Sequence, residues 1–125
     1  MAKGRDKHKA KQEAVNALGR GLNRRAKSHC ELCADSASLK VVEISGSPFE
    51  EPDEQWALMI CGRCEGLLAG QDEPANTLRF LETAVWSEVQ PVQIQAVRLI
   101  RLVDAVWAQD CTESLYLDPE IEALI

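Results

Sequence analysis

The order of apolar and polar residues predicts helices at both ends of the chain and a β-hairpin between them. Residues 39–44 and 56–60 are short apolar runs that favour two strands, and the breakers and acids of residues 45–55 predict the loop between them. Before the hairpin, residues 9–26 favour a helix whose second half is weakened by two glycines. The weak apolar stripe of this helix consists of Ala10, Ala14, Leu18 and Leu22.

Short helices are predicted after the hairpin. Residues 65–70 favour a helical turn that ends at a glycine, and residues 71–76 form a polar link that contains a proline. Asn76 is a candidate N-cap for a helix over residues 77–87. The apolar side of that helix consists of Leu78, Leu81 and Val85.

The strongest helical pattern covers residues 91–110, where Pro91 suits the first turn. A last short helix is predicted to begin with Asp118 as its N-cap and Pro119 as its first residue. The long helix is expected to bury a stripe that includes Val92, Ala96, Leu99, Val103 and Val106, widened by Ile100, Leu102 and Trp107.

Four cysteines form two C-x-x-C pairs, Cys30 with Cys33 and Cys61 with Cys64, at the two ends of the predicted hairpin. Two such turns can supply the tetrahedral sulfur shell of a structural Zn²⁺ site. The 27 residues between the pairs suffice for a hairpin, so the spacing indicates a zinc ribbon with these four cysteines as metal ligands. The alternatives are two disulfides or a thioredoxin-like redox pair, but we find no secretory signal and no βαβ pattern in the flanks.

Several polar groups adjoin the cysteine pairs in sequence. A shell of four thiolates around Zn²⁺ carries net negative charge, so Lys27, His29 and Arg63 are candidate donors to the sulfurs. His29 is also an alternative ligand, although four sulfurs already complete the shell. Cys111 has no histidine near it in sequence, and we interpret it as a partly buried structural thiol rather than a nucleophile.

Two tryptophans of the C-terminal half, Trp86 and Trp107, are interpreted as core anchors between helices. A platform on which nucleic-acid bases stack is the alternative interpretation.

Charge is distributed unevenly along the chain. Residues 1–33 hold nine Lys or Arg and three acids, whereas residues 34–125 hold five basic residues and seventeen acids, and the net charge is −6. The basic first part is either an arm for an anionic partner or a segment that rests on the acidic part of the same protein. The acidic average argues against general affinity for nucleic acid.

The acidic loop over residues 49–55 lacks the EF-hand pattern and is predicted to be solvated.

A chain of 125 residues is predicted to form one domain or two very small ones, and a bound metal would add to its limited core. No apolar run reaches the length of a membrane span. The basic start is not followed by the apolar stretch of a signal peptide, so the expected location is the cytoplasm.

Several motifs occur together in the order Arg24-Arg-Ala-Lys27, Cys30-Glu-Leu-Cys33, Cys61-Gly-Arg-Cys64, Val85-Trp-Ser-Glu88, Pro91-Val-Gln, Ala96-Val-Arg-Leu99, Trp107-Ala-Gln-Asp110 and Tyr116-Leu-Asp118. Together they resemble the PhnA family, named after an alkylphosphonate-utilisation operon. The resemblance implies an N-terminal zinc ribbon with Cys30, Cys33, Cys61 and Cys64 as ligands. Members commonly carry a small β-barrel after the helical part, and we expect no counterpart of it within these residues.

The combined prediction is a small metal-stabilised α+β fold. It comprises a basic arm and helix over residues 1–27, a Cys₄ zinc ribbon with its β-hairpin over residues 28–70, and a helical unit over residues 76–125. The favoured function is a zinc-binding accessory or regulatory protein that acts through contacts with a protein partner, without catalytic residues. A nucleic-acid-binding module that uses the basic segment from Lys3 to Lys27 is the alternative, and an enzyme of phosphonate metabolism rests on the family name alone.

Overall fold

The computed structural model describes residue 10 and residues 13–125. The basic residues Lys3, Arg5, Lys7, Lys9 and Lys11, the last two at the start of the predicted first helix, lie outside the described residues. The helices are α1 Gly19–Ala26, α2 Gly62–Leu68, α3 Leu81–Ala84, α4 Gln90–Ile100, α5 Val106–Ser114 and α6 Pro119–Glu122, and the strands are β1 Lys40–Glu43 and β2 Ala57–Ile60. Short 3-10 helices at Glu54–Trp56 and Ala75–Thr77 precede β2 and α3.

The two strands form an antiparallel hairpin in which Lys40 pairs with Ile60 and Glu43 with Ala57, which confirms the predicted hairpin. All four residues of β2 are buried because both of its faces are covered. Ala57 and Met59 pack with Leu22 of α1 on one face, whereas Leu58 and Ile60 join the main hydrophobic cluster on the other. The alternation of side chains along a strand therefore places β2 between α1 and the rest of the core.

The first helical stretch is interrupted. Residues 13–17 are helical, a turn follows at Leu18, and α1 then continues to Ala26. Val15 and Leu22 are the buried residues of this stretch. The predicted stripe is therefore only partly correct, since Ala10 is exposed and Ala14 and Leu18 are half-buried.

The core is built around α4, in which eight of eleven residues are buried. This helix packs against α3, β2 and the 3-10 helix that contains Trp56. Trp56 is 1% exposed, and its indole Nε1 donates to the carbonyl oxygen of Ser45 at 3.1 Å. The same hydrophobic cluster includes Cys30, Cys61 and Cys64, so the core and the cysteine pairs are continuous.

The long helix predicted over residues 91–110 is wrong in its second half. The chain forms α4 and α5 with a turn over residues 101–105 between them. A straight helix of that length would extend about 30 Å, roughly the diameter of a small domain, and would leave the core. The turn brings Ala108 back into the core, whereas Leu102 and Val106 become 81% and 73% exposed, contrary to the predicted stripe.

The helix predicted over residues 77–87 is also shorter than expected. Asn76 lies inside the 3-10 helix rather than capping an α-helix, and α3 comprises four residues only. The predicted apolar side is nevertheless correct, since Leu78, Leu81 and Val85 are all buried. Burial of these side chains follows from tertiary packing and does not require a continuous helix.

Other predictions for the C-terminal half had mixed outcomes. Trp86 is 50% exposed, so its prediction as a core anchor is wrong. Trp107 packs at the edge of the main cluster, beneath the guanidinium of Arg79 at 5.3 Å from the ring centroid. Asp118 and Pro119 occupy the predicted N-cap and first positions of α6, although the Asp118 side chain makes no capping hydrogen bond.

None of the helices in the described part of the chain has the length and apolarity to cross a membrane.

Arg98 of α4 joins the hairpin loop to the C-terminus of the chain. Its guanidinium donates to the carbonyl oxygen of Ser45 at 2.9 Å and to that of Leu124 at 3.0 Å. Burial lowers the pKa of Arg98. We expect Arg98→Ala to reduce the free energy of unfolding by about 1–2 kcal/mol, measured by urea denaturation, because two chain segments lose a charged donor.

Arg101→Ala is the matched control for this substitution. Arg101 follows α4 directly and forms an exposed ion pair with Glu122, with 2.8 Å between Nη2 and Oε1. We expect its replacement to cost no more than about 0.5 kcal/mol. Equal effects of the two substitutions would show that Arg98 does not hold these segments together.

Candidate metal centre

The first cysteine pair lies in a tight turn between α1 and the hairpin. Lys27 and Ser28 adopt left-handed backbone conformations, with φ of 55° and 61°, which end α1 and reverse the chain. The Cys30 N–H donates to the carbonyl of Asp35 at 2.6 Å, and the Ala34 N–H donates to the carbonyl of Cys30 at 2.9 Å. These backbone bonds close the turn that carries Cys30 and Cys33.

The second pair is placed by the end of β2 and the start of α2. Cys61 directly follows β2 and has extended backbone angles at the N-cap position, and Cys64 lies in the first turn of the helix. The Glu65 N–H donates to the carbonyl of Cys61 at 2.9 Å. The hairpin register therefore decides where this pair stands.

All four sulfur atoms lie within 4.8 Å of one another, as the sequence spacing predicted. Four thiolates around Zn²⁺ with Zn–S bonds of about 2.3 Å would be separated by about 3.8 Å. The Sγ atoms of Cys33 and Cys61 are 3.6 Å apart, close to this value and far beyond the length of a disulfide bond. All five cysteines of the chain are free thiols in the structure, which argues against the disulfide alternative.

Within the cysteine cluster formed by these four residues, the pKa of Cys30 is lowered, whereas the pKa values of Cys33 and Cys64 are raised. A hydrogen bond from the Cys64 thiol lowers the pKa of Cys30, and the same contact, together with burial, raises the pKa of Cys64. Burial is the main cause of the raised pKa of Cys33. A second thiolate is unfavourable beside the first, so a divalent cation that takes the place of the protons would stabilise all four thiolates.

The residues fit a structural metal site of the Cys₄ type. Cys30, Cys61 and Cys64 are buried and Cys33 is half-buried, and the four sulfurs leave no gap in a tetrahedral shell for a substrate. The structure confirms that the four predicted ligands come together.

Two of the predicted donors around the sulfurs, His29 and Arg63, are engaged elsewhere. His29 is exposed and stands outside the cysteine cluster, with its Nδ1 2.6 Å from the carbonyl oxygen of Lys27. The Arg63 Nε lies 2.9 Å from both carboxylate oxygens of Glu73. That contact is the main reason why the pKa of Arg63 is raised, and the sulfurs of Cys64 and Cys33 add to the effect at longer range.

The sequence analysis missed an ion pair that supports the first cysteine pair. Glu31 lies between Cys30 and Cys33, and its carboxylate accepts two hydrogen bonds of 2.8 Å from Arg25 and one of 2.9 Å from the Met59 N–H. Arg25 also donates to the carbonyls of Glu54 and Ala57, both at 2.8 Å. An acid inside the first C-x-x-C and an arginine in the helix before it are the sequence signals that point to this pair.

Cys111 stands apart from the cysteine cluster. It is half-buried, and burial, with a smaller effect of Glu82, raises the pKa of its thiol. A raised pKa lowers the thiolate fraction and therefore the reactivity of the sulfur. These features agree with a structural role.

The fold and the cluster define a class: a small α+β protein with a two-stranded hairpin and four cysteines arranged as a potential metal centre. In comparisons with family models, curated proteins and solved structures, no match to this chain was found.

Proposed function

We propose that the cysteine cluster holds a structural Zn²⁺ and that the protein is a cytoplasmic accessory or regulatory module acting through contacts with a protein partner. The single observation that supports a protein partner is an apolar surface at the turn between α4 and α5. Leu102 and Val106 expose most of their side chains there, with exposed fractions of 81% and 73%. Large apolar side chains that are exposed at one turn favour a protein contact.

Leu102 forms part of a cavity of about 320 Å³ that we call the leucine groove. Its apolar lining comes from α2, α3, α4 and the segments next to them. The apolar lining residues include Leu67, Leu78, Leu81, Leu99, Leu102 and Val103. A groove of this composition suits one or two apolar side chains of a partner segment.

Carboxylates at the leucine groove indicate the charge of that partner. Asp72, Glu73 and Asp104 line the groove together with the leucines. Glu73 is paired with Arg63, whereas Asp72 and Asp104 make no ion pair within the described part of the chain. The partner that fits is therefore a protein segment with large apolar side chains beside Lys or Arg.

The test is selection of short random peptides that bind the zinc-loaded full-length protein. We expect the selected peptides to combine large apolar residues with Lys or Arg. Their affinity, measured by fluorescence polarisation, should fall about tenfold or more in Leu102→Asp, because a carboxylate would replace the apolar contact. The substitution should leave the fold intact because Leu102 is exposed.

Tyr116→Asp is the matched control, since Tyr116 is 93% exposed and lies outside the leucine groove. The selected peptides should bind this variant as they bind the wild type. Peptides that bind both variants equally, or that lack basic residues, would contradict the proposal.

The resemblance to the PhnA family supports the zinc assignment through the motifs around the cysteines. An enzyme of phosphonate metabolism remains the weakest of the candidate functions, because the cysteine cluster leaves no position for a substrate. Release of phosphate from a phosphonate by the zinc-loaded protein would support that function and contradict a purely binding role.

A further inference from the structure

We propose that the outer face of α1 binds the phosphate backbone of nucleic acid. This interaction surface, the basic face, consists of Arg20, Asn23, Arg24 and Lys27, all of which are exposed. Residues four positions apart lie on one side of a helix, so Arg20 and Arg24 lie in line, and the exposed Lys27 follows at the C-cap position. The backbone from Arg20 to Lys27 spans about 10 Å along the helix axis, since each residue adds about 1.5 Å.

The opposite side of α1 fixes the helix to the protein. Leu22 is fully buried against Ala57 and Met59, and Arg25 is held by Glu31 and by two backbone carbonyls of the segment that leads into β2. The cations of the basic face are thus presented on a helix whose position is already set. A surface ordered before binding loses less entropy when it binds.

The cations of the basic face are available for a partner. Arg20, Arg24 and Lys27 make no ion pair with any described residue, in contrast to Arg25. The sequence from residue 14 to residue 30 contains no Asp or Glu. Among the acids around the helix, Glu31 is already paired with Arg25, Glu54 lies beside the backbone of Gly21, and Glu13 precedes the helix.

The composition of the basic face favours a phosphate chain over an acidic protein surface. The large apolar side chains exposed in the described part of the chain are Phe49, Trp86, Leu102, Val106 and Tyr116, and none of them belongs to α1. Protein interfaces usually bury apolar or aromatic anchors at their centre. Binding to phosphates requires only cations and polar donors, and arginine is well suited to it.

The acidic remainder of the protein restricts how a polyanion can approach. Residues 34–125 hold seventeen acids and five basic residues, so most of the molecule repels phosphate. Nucleic acid would therefore contact the protein through the basic face, without base-specific readout. This surface is distinct from the leucine groove, so the inference is independent of the proposed protein partner.

The test is fluorescence anisotropy with the zinc-loaded full-length protein, using a labelled short duplex and labelled oligo-dT at increasing salt. We expect the protein to bind the duplex at low salt. The logarithm of the association constant should fall with the logarithm of the salt concentration, with a slope of about −3, since each phosphate contact contributes about 0.9. The triple variant Arg20→Gln, Arg24→Gln, Lys27→Gln should bind about tenfold or more weakly and should show a smaller slope.

The matched control is Lys40→Gln, Arg79→Gln, Arg101→Gln, which removes three exposed cations elsewhere and has the same net charge. It should bind like the wild type, and zinc content and melting curves should show that both variants are folded. Absence of binding at low salt, or equal weakening by both variants, would overturn the inference.

Two further outcomes would also overturn it. If the triple variant binds normally and deletion of residues 1–12 abolishes binding, the contact lies in the preceding segment and not on α1. If a poly-glutamate peptide competes as well as the duplex at equal charge, the surface recognises acidic protein rather than phosphate. Leu102→Asp should bind nucleic acid normally, which separates failure of this inference from failure of the proposed function.

Discussion

Replacement of Cys61 by serine is expected to abolish stoichiometric metal binding and to unfold the hairpin region. The four sulfurs form a closed set, and the described residues place no spare His or Cys beside them. The apparent binding free energy of a structural Zn²⁺ is about 10–16 kcal/mol in small modules, and much of it is folding free energy. Metal content per chain by elemental analysis and melting by circular dichroism would measure both effects.

Cys111→Ser is the control for this prediction, because Cys111 is half-buried and lies outside the cysteine cluster. It should keep one metal per chain and melt near the wild-type temperature. If Cys61→Ser retains stoichiometric zinc and normal melting, the assignment of the four ligands is wrong. Purification that yields iron in place of zinc would leave the ligand set intact and change only the metal.

Arg25→Ala is expected to destabilise the protein by about 3–5 kcal/mol, because it leaves the Glu31 carboxylate buried without its cation. The Glu31 side chain is only 4% exposed and would keep one hydrogen bond, from the Met59 N–H. The loss includes the two bonds from Arg25 to the backbone that leads into β2. Urea denaturation of the zinc-loaded protein would measure the change in the free energy of unfolding.

The neighbouring Arg24→Ala provides the control for Arg25→Ala. Arg24 is exposed and makes no ion pair with the described residues, so the free energy of unfolding should change by no more than about 0.5 kcal/mol. An equally small effect of Arg25→Ala would show that Arg25 and Glu31 do not fix α1 to the first cysteine pair. A large effect would show that the pair of Arg25 and Glu31 fixes α1 to the first cysteine pair.

The basic residues of α1 and its C-cap have different surroundings. Arg25 belongs to the basic segment, yet it is used inside the protein, whereas Arg20, Arg24 and Lys27 of the same helix face solvent. Arg25 thus joins α1 to Glu31 and to the backbone carbonyls of Glu54 and Ala57. Arg20, Arg24 and Lys27 make no ion pair with the described residues.

The sequence alone predicted the features that depend on neighbouring residues and on ligand chemistry. The apolar runs predicted the hairpin, and the spacing of the cysteine pairs predicted that Cys30, Cys33, Cys61 and Cys64 meet, because the hairpin returns the chain to its starting point. The helical pattern around α4 also appeared in the sequence, since Val92, Ala96 and Leu99 of the predicted stripe are all buried in this helix.

Only the tertiary structure decided features that depend on distant contacts. Residues 101–105 contain no glycine or proline to signal the end of α4, yet the chain turns there and returns Ala108 to the core. That turn exposes Leu102 and Val106, which the periodicity assigned to the buried stripe. Likewise, the burial of Glu31 follows from the approach of Arg25 and Met59, since a carboxylate is buried at acceptable cost only where distant donors meet it.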